Sequence, residues 1–204
     1  MLLRNIGGYL HDFPRLPTFV REKLTSGGDI LKDRVTFDAK KMTAADAAGR
    51  STAGYLGNLK GAYTEYLASI DIGSNAVIVV KHVNKGGSDY AAMVGGDTLK
   101  IVEAKARQSL TLANLDRYIK PSKLTGAIEF NAEYVIKELG EDYFKNTATK
   151  KQFVLYLNGP NSQAIKNSLN LPASFSYEFI SKNPATKGQT FTGTIDIIVM
   201  AVNK

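Results

Sequence analysis

Two acids and an amine stand out by type and spacing: Asp89, Glu103 and Lys105. They lie in the stretch Ser88-Asp89-Tyr90-Ala91-Ala92-Met93-Val94-Gly95-Gly96-Asp97-Thr98-Leu99-Lys100-Ile101-Val102-Glu103-Ala104-Lys105, which reads as two β-strands around a glycine turn. Side chains alternate faces along a strand, so Leu99, Ile101, Glu103 and Lys105 share one face. The apolar pair lies toward the turn and the charged pair at the far end. Such a strand is buried at one end and opens into a polar cleft at the other. If Gly95-Gly96-Asp97 is a three-residue hairpin loop, Val94 pairs with Thr98, and counting back sets Asp89 directly opposite Glu103. Their Cβ atoms would then lie about 4.5–5.5 Å apart on one face. A two-residue loop would shift the register by one and put the two acids on opposite faces. Two carboxylates that close repel unless a cation or a proton sits between them. A hard cation such as Mg²⁺ takes oxygen ligands and often uses one or two carboxylates plus waters. Lys105, two residues from Glu103, reaches the same cleft. A lysine there orients a water or, as the neutral amine, deprotonates it, and as an ammonium offsets charge on a phosphate.

The elements that must position these groups follow from periodicity. Leu56, Leu59, Tyr63, Tyr66, Leu67 and Ile70 recur at helical steps, and Asn58, Gly61, Glu65 and Ala68 form a second stripe of the same helix. Glu65 completes the candidate set from that small-residue stripe, where Gly61 and Ala68 permit close approach to a sheet. Strands are expected at Ala76–Val83, Asp89–Val94 and Thr98–Ala106. A helix at Thr125–Gly140 and a buried strand at Gln152–Leu157 follow. A short helix at Ser162–Leu169 and strands near Phe175–Ser181 and Phe191–Val202 complete the reading, with Gln189–Lys204 an added strand pair or an interface. Residues 1–50 are poorly patterned, with short helices at Pro17–Leu24 and Thr43–Gly49. They read as an arm or accessory subdomain before a domain at 51–204. The order of elements over residues 52–157 predicts an α/β (α+β) core, a mixed sheet flanked by helices with an antiparallel meander.

Each feature has a plainer reading. Glu103-x-Lys105 can be a surface ion pair, Asp89 a turn residue after Gly86-Gly87-Ser88, and Glu65 an exposed helix carboxylate. Asp97 is read as loop chemistry and His82 as structural.

The 204 residues can bury a core without staples. Apolar residues make up 44% and charged residues 22%, as in ordinary globular chains. No cysteine is present, which excludes disulfides, thiolate zinc sites and a cysteine nucleophile. His11 and His82 alone cannot build a multi-histidine metal cage. The longest apolar runs, Ala76–Val80 and Ile197–Val202, fall far short of a membrane span, and the first residues lack a signal peptide's apolar stretch. A soluble protein acting in the cytoplasm is expected. The net charge of +7 favours a polyanionic partner. Lys100, Lys105, Arg107, Arg117, Lys120 and Lys123 outnumber Glu103 and Asp116 in one short stretch, a pattern suited to phosphate contacts with little base specificity.

On Asp89 and Glu103-Ala104-Lys105, with Glu65 at the place of the helix acid, the sequence resembles the PD-(D/E)XK nuclease superfamily. The likeness covers residues 52–157, about half the chain, and Ser88 stands where the motif's proline would be. The resemblance implies a restriction-endonuclease-like core and Mg²⁺- or Mn²⁺-dependent phosphodiester hydrolysis. Asp89, Glu103 and the Ala104 carbonyl would hold metal, Glu65 would assist directly or through water, and Lys105 would position the nucleophile. Arg107, Gln108, Arg117, Tyr118, Lys120 and Lys123 would contact nucleic acid.

The small, basic, cysteine-free chain is also similar to the toxin domains of bacterial contact-dependent and other polymorphic toxin systems. That likeness implies delivery within a larger toxin and an immunity-protein partner. A restriction-type endonuclease, expected as a homodimer cutting a defined duplex site, is the competing nuclease reading. A non-catalytic nucleic-acid-binding module on the same fold is the reading from another class.

Overall fold

A computed structural model describes residues 15–16, 18–20, 30–72, 76–81, 89–106, 120–142 and 149–204. The elements are α1 (Ile30–Ala47), α2 (Ala53–Ile72), β1 (Ala76–Lys81), β2 (Tyr90–Val94), β3 (Thr98–Ala106), α3 (Pro121–Leu139), β4 (Lys150–Asn158), α4 (Ser162–Ser168), β5 (Ser174–Ile180) and β6 (Thr190–Val202). The fold is mixed α+β. Among the described residues, six strands form one open mixed sheet in the order β1-β2-β3-β4-β6-β5.

The first three strands are an antiparallel meander, as expected. Val94 pairs with Thr98 and Tyr90 with Val102, so the loop is the three residues Gly95-Gly96-Asp97. Gly95 (φ 62°) and Gly96 (φ 80°) both lie in the left-handed region, where a side chain costs on the order of 1–2 kcal/mol. The glycine pair thus sets the loop, and the loop sets the register. Asp97 accepts a hydrogen bond from its neighbour Thr98 Oγ1 at 2.8 Å, and its carbonyl receives the Lys150 amide at 2.9 Å. It is a turn residue, and it anchors the start of β4 beside the hairpin.

β4 runs parallel to β3 and to β6. Its residues Phe153 to Leu157 are all buried, because the sheet is covered on both faces. One buried cluster joins α1 and α2 to Tyr90, Ala92, Val102, Ala104, Val154 and Tyr156. The other joins α3 and α4 to Ala91, Met93, Leu99, Ile101, Leu155 and Leu157. The closing segment supplies β6, which inserts between β4 and β5.

Three expectations need correction. The helix predicted at Thr43–Gly49 is the end of α1, an 18-residue helix. Its inner stripe is Val35, Asp38, Ala39, Met42 and Ala45, too poor in large apolar groups to give a clear amphipathic signal. These residues and Leu16, Phe19 and Val20 are buried, most of them in the same cluster as α2. Asn58 of α2 donates to Asp38 of α1 at 2.9 Å. In α2, Ile70 is 53% exposed, and Ile72 takes the buried place. α3 starts four residues before the predicted Thr125, with Pro121 in its first turn, where the missing N–H costs nothing.

Candidate active site

The open end of the β2–β3 hairpin is where the candidate residues meet. The paired ladder ends at Tyr90–Val102, and Asp89 does not take the expected place directly opposite Glu103: its amide donates at 2.9 Å to the carbonyl of Val102, the residue already paired with Tyr90, a one-residue slip of register. The Asp89 side chain then turns onto β3, where its Oδ2 accepts the Ala104 amide at 2.6 Å. This bond fixes the carboxylate beside Glu103. Lys105 Nζ forms an ion pair with Glu103 Oε1 and lies 4.0 Å from Asp89 Oδ2. Asp89, Glu103 and Lys105 therefore form one cluster, with an ammonium set against two carboxylates.

The surroundings explain the electrostatics. Glu103 pairs across the parallel ladder with Leu155, and Lys105 with Leu157, both fully buried. Glu103 is itself only 8% exposed. Burial, and next the negative charge of Asp89, push its carboxyl from an ordinary 4.5 up to about 7, against the opposing pull of Lys105. Glu65 adds the smallest upward push. One wall is thus apolar and dry, and the other carries the polar groups, with the Lys105 and Asp89 side chains 18% and 23% exposed.

Glu65 is placed differently from the other three. It is buried on α2, which packs on the sheet face of Tyr90, Val102 and Ala104. Glu103 and Lys105 alternate with the residues of that face and share the face of Leu99 and Ile101. Among the described residues, no three His, Cys, Asp or Glu side chains close on a point that could hold a metal ion. Asp89 and Glu103 are a pair, and Glu65 is an outlying charge. Tyr90, next to Asp89 in sequence, is buried, and its hydroxyl has no hydrogen-bond partner among the described residues. Burial, followed by the charges of Asp89, Glu65 and Asp71, raises its pKa.

The donor set suits a hard divalent cation. Both side chains are carboxylates on adjacent strands, and the chain already spends one positive charge on them. Asp89, Glu103 and the Ala104 carbonyl are the atoms that would hold such an ion.

Comparison of the chain with family models, curated proteins and solved structures finds no match.

The nucleic-acid-binding residues divide. Lys120 and Lys123 are exposed at the start of α3, with Lys120 at its N-cap position and making no side-chain cap bond there. Arg107, Gln108, Arg117 and Tyr118 lie outside the described residues, as does His82. Lys100 faces away from the site: its Nζ contacts the Ile72 carbonyl at the end of α2 at 3.5 Å. Leu155, Leu157 and Tyr90 border or overlook the site without having been singled out in sequence. The buried run Phe153-Val154-Leu155-Tyr156-Leu157 signals a core strand, but nothing local says that it lies beside β3.

Proposed function

We propose that the chain is a metal-dependent nuclease that hydrolyses phosphodiester bonds, with DNA as the first substrate to test and RNA, including transfer RNA, as the second. The observation that carries this reading is the convergence of Asp89, Glu103 and Lys105 at the open end of one hairpin. It is the arrangement that the resemblance to the PD-(D/E)XK superfamily implies.

Asp89 would be held for its role by the Ala104 amide. Glu103, dry on its β4 side, would interact strongly with any cation because the low dielectric leaves its charge poorly screened. Lys105 would orient the attacking water and offset charge on the phosphate. Glu65, on the far face, would act through water or through the local field. Lys120 and Lys123 would hold the backbone of the nucleic acid without reading bases. A bound Mg²⁺ or Mn²⁺ supplies a more acidic water and stabilises charge on the attacking and leaving oxygens.

The test is paired digestion of plasmid DNA and transfer RNA, in Mg²⁺ and in EDTA, by wild type, Glu103→Ala and Lys105→Ala. Metal-dependent cutting by wild type, lost in both variants with binding retained, is the expected result. The Lys105–Glu103 ion pair also fits a second reading, a binding module in which the two charges merely satisfy each other. That reading requires metal-independent binding and no cutting by any of the three proteins.

A further inference from the structure

The position of Lys105 carries a consequence for metal binding. Its ammonium is in contact with one acid of the pair and 4.0 Å from the other. It comes from β3 itself, two residues beyond Glu103, so no partner has to bring it. The walls around it restrict where the charge can go. Leu157 pairs with Lys105 and Leu155 with Glu103, both fully buried. Asp89 is fixed from below by the Ala104 amide. The ammonium thus sits at the carboxylates that a divalent ion would need.

We propose that Lys105 is a built-in counter-cation that occupies the acid pair when no divalent ion is bound and must leave it for metal to enter. This rests on the nuclease reading of the same site. The reasoning is electrostatic and steric. Two like charges do not share one pair of carboxylates at contact distance, and their repulsion is strong beside a dry wall. A metal therefore competes with the lysine for the same oxygens. When displaced, the ammonium would move toward solvent, to which the Lys105 and Asp89 side chains are partly open, and there it would meet an incoming phosphate. Lys105 would thereby weaken metal binding while aiding the reaction.

The test measures Mn²⁺ binding by titration calorimetry on the full chain, with manganese electron paramagnetic resonance as a second readout. Wild type, Lys105→Met and Lys105→Arg are compared, each first stripped with EDTA. Lys105→Met should bind Mn²⁺ about tenfold or more tightly than wild type, because one full competing charge is gone. Its metal-free melting temperature should be lower and its gain on adding Mn²⁺ larger. Lys105→Arg, which keeps the charge, should bind as weakly as wild type. Lys105→Gln carries the same expectation as Lys105→Met if the methionine variant does not fold. Equal or weaker Mn²⁺ binding by the uncharged variants, with metal-dependent cutting by wild type, overturns the proposal and leaves the nuclease reading standing. No Mn²⁺ binding by any variant at millimolar metal, with no cutting, overturns both.

Discussion

Replacing Glu103 by glutamine should make the metal-free protein more stable above pH 7, although it removes one side of an ion pair. Among the described residues, the charged groups that bear on Glu103 are Asp89 and Lys105 from the hairpin and Glu65 from α2. Burial and the Asp89 charge outweigh Lys105 and carry the carboxyl from 4.5 to about 7. A folded pKa above the unfolded one means that the folded chain holds the proton more tightly. The group's contribution is then complete below about pH 4.5 and is lost as pH climbs through about 7. At about 1.4 kcal/mol per pH unit, the full displacement is worth about 3 kcal/mol. For a chain of this length that is on the order of 5–10 °C in melting temperature. Glutamine copies the shape of the protonated acid and does not titrate. Thermal melts in EDTA across pH 5 to 8.5 should show wild type and Glu103→Gln alike at the acid end, with the variant pulling ahead as pH rises. Millimolar Mn²⁺ should close that gap by stabilising wild type alone. A variant less stable than wild type at pH 8 without metal would refute the reasoning, because the Lys105 pair would then outweigh the cost of burying the charge.

Further tests address the frame around the site. A Cβ at Gly193 would lie 2.7 Å from Tyr177 Oη and 2.9 Å from its Cζ, with Tyr177 buried against Phe179; Gly193→Ala should cost about 1–3 kcal/mol in urea unfolding. Glu133 accepts Ser181 Oγ at 3.2 Å and the Lys182 amide at 2.6 Å, clasping α3 to the end of β5; Glu133→Ala should cost about 1–2 kcal/mol and speed amide exchange at Ser181 and Lys182. Burial alone would raise the Asp71 pKa, but hydrogen bonds from Lys204 and Tyr156, with the Lys204 charge, hold it below the ordinary 3.8. That contribution is present above pH 3.8 and is lost as pH falls through the lower folded value, so Asp71→Asn should flatten the acid limb of the stability curve in melts below pH 4.5.

The sequence by itself determined the hairpin and much of the element order. Alternation put Glu103 and Lys105 on the face of Leu99 and Ile101, and the glycines at 95 and 96, with Asp97, made the loop odd in length. Those are local rules, acting over a few residues. From them the pairing of Tyr90 with Val102 follows before any long-range contact forms; Asp89, one step beyond, slips onto the Val102 carbonyl, and it is its side chain, bound to the Ala104 amide, that reaches β3 beside Glu103. α2 was legible because its stripe is large and apolar, and α1 was not, because its buried stripe includes Ala39, Ala45 and Asp38. What only tertiary structure decided is the environment of the acids. The parallel placement of β4 beside β3 sets Leu155 and Leu157 against Glu103 and Lys105, and the packing of α2 places Glu65 across the sheet from them. No spacing along the chain encodes these facts, since they join residues about 40–50 positions apart through burial. Burial is also what makes Glu103 costly to ionise: a carboxylate gives up most of its water only when a neighbouring strand takes its place.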